Sequence, residues 1–321
     1  MNPERRLFLS RSAGAVFGLT AVAGLRAADW SSSPPGLPDF DPRDPEAYWN
    51  AVRAQYLMAP GLAYFNTGGL GPTPRPVLEH VERTMRALQA ESEHGHERLG
   101  AGREVVARFL GTTSAEVAFV RNATEGTSII ASGLELRAGD EVIFESHAHP
   151  GGSFVWFHQA QRRGVVVKLF DPDPESPEAN VAKIRALMTA RTRVVQVSHV
   201  TAPTGVLMPV AAIAQLCRER GVWFHIDAAQ SVGMVPFSLG AIGCDSCAMS
   251  GHKWLGAPFE TGVLYLRRDR LEAVTPLLVG SYSGELDYLP GEFKLVDSAI
   301  RFEYGTRNVR SEEHTSELQS H

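Results

Sequence analysis

Seven short apolar runs constrain this chain more than any other feature: EVAFV (116–120), EVIFE (141–145), GVVVKLF (164–170), RVVQVSHV (193–200), VWFHID (222–227), SCAMS (246–250) and GVLYLR (262–267). Several are near-continuous runs of Val, Ile and Phe rather than alternating ones, the pattern of strands covered on both faces. Helical segments lie between several of them: TEGTSIIASGLEL (124–136), GGSFVWFHQAQRR (151–163), ANVAKIRALMTA (179–190) and PVAAIAQLCRER (209–220). Strand and helix in alternation predict an α/β domain with a mostly parallel sheet. Upstream, Asp29 to Pro60 reads as a polar, Pro-rich lead-in with one helix, DPEAYWNAVRAQYL. YFNTGGLGPTPRPV is an extended segment that breaks into a Gly/Pro turn, after which Pro76 can open a helix. RPVLEHVERTMRALQAESE places Val77, Val81, Met85 and Leu88 at helical spacing, and AGREVVARFLG is a further helix stopped by Gly111. The alternation ends near Pro290, so a large domain over 61–290 is expected, with 291–309 opening a smaller C-terminal domain that is largely missing.

The two ends follow different rules. ERRLFLSRSAGAVFGLTAVAGLRAADW carries Arg5 and Arg6, then Phe8 and Leu9, then a mildly apolar stretch from Ala13 to Leu25. It reads as a twin-arginine signal peptide over 1–28, with an ordinary amphipathic helix as the alternative. The periplasm is the expected location, reached by export in the folded state. The last twelve residues, RSEEHTSELQSH (310–321), have no apolar periodicity and match the translation of a common sequencing adapter, so they are expected to be non-native. A net charge of −5 without a basic tract argues against nucleic acid as a partner. Past the signal peptide no apolar run is long enough to span a bilayer, so no stable membrane anchor is expected. Cys244 and Cys247 form a CxxC, but in a strand they stand ~10 Å apart, beyond the ~7 Å Cα limit of a disulfide. They and Cys217 read as buried structural cysteines, and no metal site is expected.

Ligands of open α/β sheets gather at the C-terminal ends of the strands. Five such ends carry small, polar or ionisable groups: RNATEGTS, SHAHPGG, SHVTAPTG, DAAQSVG and SGHKWLG. At the first, backbone N–H groups and the Thr124 hydroxyl at a helix start suit a phosphate, or Thr124 is simply an N-cap. At the fourth, Asp227 either caps the next turn or faces a cation. At the fifth, Lys253 stands between Ser250, His252 and Trp254, with glycines on both sides. A phosphate pocket, a carboxylate and a partly enclosed lysine fit pyridoxal phosphate. The lysine amine forms a Schiff base with its aldehyde, and the carboxylate keeps its ring nitrogen protonated.

HIDAAQSVG followed by SGHKWLGAPFETGVLYLR resembles the class V aminotransferase-like family of pyridoxal-phosphate enzymes. YFNTGGLGPTPRPV, RNATEGTS and FEYGTRN match its pattern in the same order. The resemblance implies a seven-stranded, mostly parallel large domain of the aspartate aminotransferase-like fold and a homodimer. It implies that Lys253 carries the cofactor and moves the substrate proton, that Asp227 pairs with the ring nitrogen, and that Gln230 bonds the ring oxygen. Ala123 (through its backbone), Thr124, Ser250 and His252 hold the phosphate. His147 stacks on the ring and assists acid–base steps, and Thr306 reaches the partner subunit's phosphate. His149, His158 and His199 read as solvated or structural, and Trp254 as packing beside the site. Ala202 stands where desulfurases carry an asparagine, so epimerase-like or transaminase-like chemistry on an amino acid or small amine is expected first. The alternatives are a cysteine desulfurase or other lyase of the same fold, and a non-catalytic or incompletely folded fragment.

Overall fold

The computed structural model describes residues 36–236, 238–287 and 291–305. The expected signal peptide, the tail and Thr306 lie outside the described residues. All seven apolar runs become strands of one sheet: β1 (Val117–Val120), β2 (Glu141–Glu145), β3 (Val166–Phe170), β4 (Thr192–Ser198), β5 (Trp223–Asp227), β6 (Ser246–Ser250) and β7 (Gly262–Leu266). Their order across the sheet is β1-β7-β6-β5-β4-β2-β3. β3, β2, β4, β5 and β6 run parallel, and β7 runs antiparallel to both its neighbours. The sheet is therefore mostly parallel, as the alternation of runs predicts. Ser198 pairs with Asp227, and Asp227 with Ala248, so β4 and β5 end at one level and β6 runs two residues further, to Ser250.

Seven helices lie where the spacing places them: α1 (Pro45–Ala54), α2 (Arg75–Glu91), α3 (Leu99–Leu110), α4 (Ala123–Gly133), α5 (Pro150–Arg163), α6 (Pro177–Leu187) and α7 (Val210–Arg220); the single turn α8 (Leu239–Ile242) is one the sequence pattern does not announce. Gly111 ends α3 in the left-handed region, φ 66°, which a residue without Cβ adopts at no steric cost. One face of the sheet buries Ile143, Val195 and Phe224 against Leu110 of α3, Ile184 of α6 and Ile213 of α7. The other buries Val142, Phe144 and Val194 against Ile130 of α4 and Trp156 of α5. This three-layer arrangement explains why the inner strands read as unbroken apolar runs. β3 is the exception, because it is the sheet edge: Val166 and Leu169 are exposed.

Two local expectations are revised. β6 begins at Ser246, so Cys244 precedes the strand instead of lying within it. All three cysteines are nonetheless free and buried, and burial pushes the Cys217 thiol up to about 12. Beyond the sheet, β8 (Gly284–Asp287) and β9 (Glu292–Leu295) form an antiparallel hairpin that the apolar pattern did not reveal, since its side chains are largely exposed. The chain then returns to the core, where Ala299 and Phe302 are buried. Glu303 is anchored there by Arg103 of α3, with Nη1–Oε1 2.5 Å and Nη2–Oε2 3.0 Å, and by the Phe119 N–H at 2.6 Å. Removing one partner of so buried a pair leaves an uncompensated charge, which is why both members are fully engaged.

Candidate active site

The C-terminal strand ends enclose a cavity of about 620 Å³. Its wall at the start of α4 is built by Asn122, not Thr124, as N-cap: Asn122 Oδ1 accepts from Glu125 N at 2.9 Å. Ala123 N donates to Ser250 Oγ at 3.1 Å. The Thr124 N–H and hydroxyl are then left for a ligand, and Thr124 lines the cavity. A helix N-terminus with a spare N–H and two nearby hydroxyls is an anion site. The sequence left Thr124 open between cap and ligand group, and the asparagine two residues before it takes the cap.

Lys253 sits in the loop between β6 and β7. Gly251 N donates to Thr261 O (2.8 Å) and Ala257 N to Gly251 O (3.0 Å), which closes that loop into a tight turn. The Gly-rich stretch 66–71 packs directly on it, with Gly71 N donating to His252 O at 2.8 Å. A Cβ on Gly71 would lie 1.7 Å from Lys253 O, so only glycine permits this backbone contact. The Lys253 amine faces the cavity, and among the described residues it has no hydrogen-bond or ion-pair partner. Burial lowers its proton affinity below the ordinary lysine value, while the charge of Asp227 opposes that shift.

Asp227, at the end of β5, is buried. Oδ1 accepts from Ala229 N at 3.0 Å, which caps the next turn. Oδ2 has no hydrogen-bond partner among the described residues and stands where a Cβ on Gly152 would come within 2.6 Å. The cap reading of Asp227 thus holds through Oδ1, while Oδ2 remains for the partner expected from the sequence. Burial raises its carboxyl above the ordinary value, and the Ala229 N–H, Lys253 and His149 counteract that rise. A carboxylate kept dry with one oxygen spare calls for a cationic or N–H partner in the cavity.

The two histidines of SHAHP part company. Ala148 N donates to Glu145 O at 3.2 Å, a turn that breaks the strand alternation. His147 Nδ1 then lies 2.9 Å from Thr204 Oγ1, and its ring is not among the cavity walls. His149 lines the cavity instead, with its Nδ1 accepting from Gly151 N at 3.0 Å. The histidine at the cavity wall is therefore His149, two residues beyond the expected His147. Gln230, Ser250 and His252 line the cavity as expected. Burial lowers the His252 imidazole below the ordinary value. The sequence missed Asn66 and Gly68 as walls, although the Gly/Pro turn that carries them was visible, and it missed Thr201.

Beneath the site, Glu145 is buried at the end of β2. Its Oε1 accepts from Ser198 N at 3.0 Å, and its Oε2 is without a partner. Burial, and to a smaller extent the charge of Asp227, push its carboxyl up from 4.5 to about 7. The folded state then binds the extra proton, so this stabilisation is full below about 4.5 and is lost as pH rises through about 7. Glu145→Gln is expected to flatten the pH dependence of stability across that window by up to about 1.4 kcal/mol per pH unit, as measured by urea unfolding at several pH values. An unchanged slope would place the titration elsewhere.

The donor set tests well against pyridoxal phosphate. The spare Thr124 N–H with the hydroxyls of Thr124 and Ser250 suits the phosphate, Asp227 Oδ2 the ring nitrogen and the Lys253 amine the aldehyde. Among the described residues no His, Cys, Asp and Glu cluster that could hold a metal is found.

Known proteins point the same way. A family model described as aminotransferase class-V matches residues 73–312. Isopenicillin N epimerase of Streptomyces clavuligerus is 34% identical over 240 residues, covering 73% of this chain and 60% of that protein. A probable cysteine desulfurase of Methanothermobacter thermautotrophicus is 30% identical over 266 residues, covering 80% of this chain and 66% of that protein. Among solved structures, the apo cysteine desulfurase of Thermococcus onnurineus NA1 superposes with a TM-score of 0.75 at 26% identity, over 84% of this chain and 69% of that one. A C-DES mutant with glycine covalently linked to its PLP cofactor gives 0.76 at 27% identity, over 83% and 73%. The chain spans 60% of the length of the two epimerases it matches. With a matching family model over most of its length and a fold shared with these enzymes, the chain belongs to the aminotransferase class-V family.

Proposed function

We propose that this chain carries the cofactor site of a pyridoxal-phosphate-dependent enzyme that acts on an amino acid or small amine, with epimerase-like or transaminase-like chemistry. The observation that carries this reading is the Lys253 amine, unpartnered and half-buried, in the same cavity as Asp227 Oδ2 and the α4 N-terminus. Pyridoxal phosphate, when bound, supplies an electron sink that loosens a bond at the substrate's α-carbon. The chain's own residues do the rest. Thr124, through its N–H and hydroxyl, binds the phosphate with Ser250 and the half-buried His252, while the Ala123 N–H, expected to join them, is given to Ser250 Oγ. Asp227 Oδ2 holds a proton at the ring nitrogen. Lys253 Nζ, its proton affinity lowered by burial, is the amine available for attachment and for moving the α-proton. His149 forms a wall of the cavity, oriented by its bond from Gly151 N. A homodimer, with Thr306 reaching the partner's phosphate, belongs to the same proposal.

The desulfurase reading has relatives and structural neighbours in its favour. One feature of the site weighs against it: Ala202 lines the cavity and offers only a methyl group. The deciding experiment incubates the cofactor-loaded protein with single amino acids in D₂O and follows the α-proton by NMR. Loss of the α-proton with inversion, or with keto-acid formation, is expected. Alanine plus sulfide from cysteine would establish the desulfurase instead. A wild type that takes up no cofactor would leave the non-catalytic fragment standing.

A further inference from the structure

Trp254 is more than packing. Its Nε1 donates to Gln230 Oε1 at 2.8 Å, and Gln230 Nε2 donates to Gly68 O at 2.9 Å. An indole N–H can only donate and a backbone carbonyl can only accept. The two neighbours therefore impose the same orientation on the amide from opposite sides. A flipped amide would set N–H against N–H and oxygen against oxygen. The ambiguity that usually attends a glutamine side chain is absent here. Gln230 and Trp254 both line the cavity, and Gly68 packs so closely that a Cβ there would lie 3.1 Å from Gln230 Oε1. With one Nε2 hydrogen given to Gly68 O and one Oε1 lone pair taken by Trp254, the second Nε2 hydrogen is the donor Gln230 has left to offer.

We infer that Trp254 is a positioning residue: through its indole N–H it fixes the orientation of the Gln230 amide, so that Nε2 presents a hydrogen-bond donor to an anionic or carbonyl oxygen in the cavity. The contact also ties the lysine loop to the turn after β5 and to the 66–71 stretch, three separate parts of the chain. This inference rests on the cofactor reading above for its consequence in the loaded enzyme, but not for the contact itself.

The test is a double-mutant cycle with two readouts on the full chain. Trp254→Phe keeps an aromatic ring and removes the N–H. In the protein without cofactor, the Trp254 indole N–H, assigned as the ¹⁵N resonance that Trp254→Phe deletes, is expected to be protected from solvent exchange. Gln230→Ala is expected to abolish that protection. With pyridoxal phosphate as the probe, Trp254→Phe is expected to weaken binding about three- to tenfold, the worth of one lost hydrogen bond. In the Gln230→Ala background the same change is expected to have no further effect, because Trp254 acts through Gln230. An equal loss in both backgrounds would show that Trp254 only packs, and an indole N–H whose protection survives Gln230→Ala would overturn the contact. If the wild type binds no pyridoxal phosphate, the cofactor reading fails, while the exchange readout still decides the lock.

Discussion

Lys253→Ala is expected to abolish covalent cofactor attachment and to lower turnover by at least ~10⁴-fold, the combined loss of nucleophile and proton carrier. The chain has four lysines. Lys168 is held by Leu187 O and Glu141, and Lys183 by Asp171 O and Asp173. Lys294 stands on the exposed β9. Only Lys253 among them lines the cavity. Among the described residues its amine has no hydrogen-bond or ion-pair partner to lose, and the release of its own desolvation offsets the lost attraction to Asp227, so the melting temperature is expected to change little. Reduction with borohydride followed by peptide mass analysis checks attachment. The wild type is expected to carry the reduced adduct on the peptide containing Lys253, and the variant to carry none. An adduct that persists at full yield in Lys253→Ala would move the attachment site elsewhere and undo the assignment of the cavity.

What was legible in the sequence and what was not follow one physical line. The seven strands were legible because an inner strand of a two-sided sheet must be apolar at nearly every position, and the helices because one buried face repeats every three to four residues. The β8–β9 hairpin was not, because its exposed side chains carry no burial pattern. The site was legible where a residue type is tied to a strand end: Asp227 closing β5, Lys253 just past β6, Thr124 just past β1. It was misread at SHAHP, where both histidines follow the strand and only the turn from Glu145 to Ala148 decides which ring enters the cavity. The Asn122 cap was missed for a related reason, since RNATE offers two capping side chains, and the pattern alone does not choose between them. The Trp254–Gln230–Gly68 chain was beyond reach: it joins residues 162 and 24 positions apart, and no local signal marks such a contact.

Asp227→Asn separates function from stability with opposite signs. Oδ1 bonds Ala229 N, and an asparagine oxygen reproduces that bond. The amide nitrogen must then occupy the place of Oδ2, where it presents hydrogens to a ring nitrogen that carries a proton of its own. Donor meets donor, and the charge that held the proton is gone. Turnover is expected to fall about 100-fold, corresponding to about 3 kcal/mol, the upper range for a charge-assisted hydrogen bond, with part of the cofactor binding retained through the phosphate. The protein without cofactor should respond the other way. Burial raises the Asp227 carboxyl above its unfolded value, so the folded state holds that proton more tightly than the unfolded chain. Its contribution to stability is full below the unfolded carboxyl value and is lost as pH rises above it. At neutral pH the wild type has therefore lost a contribution that the asparagine variant, which has no proton to release, does not lose. The variant's melting temperature at pH 7 is expected to exceed that of the wild type, and the gap to close toward pH 4. Undiminished turnover would remove Asp227 from the chemistry. A variant less stable than wild type at pH 7 would mean that the Lys253 and His149 charges outweigh burial, and that the cavity is already electrostatically complete without a ligand.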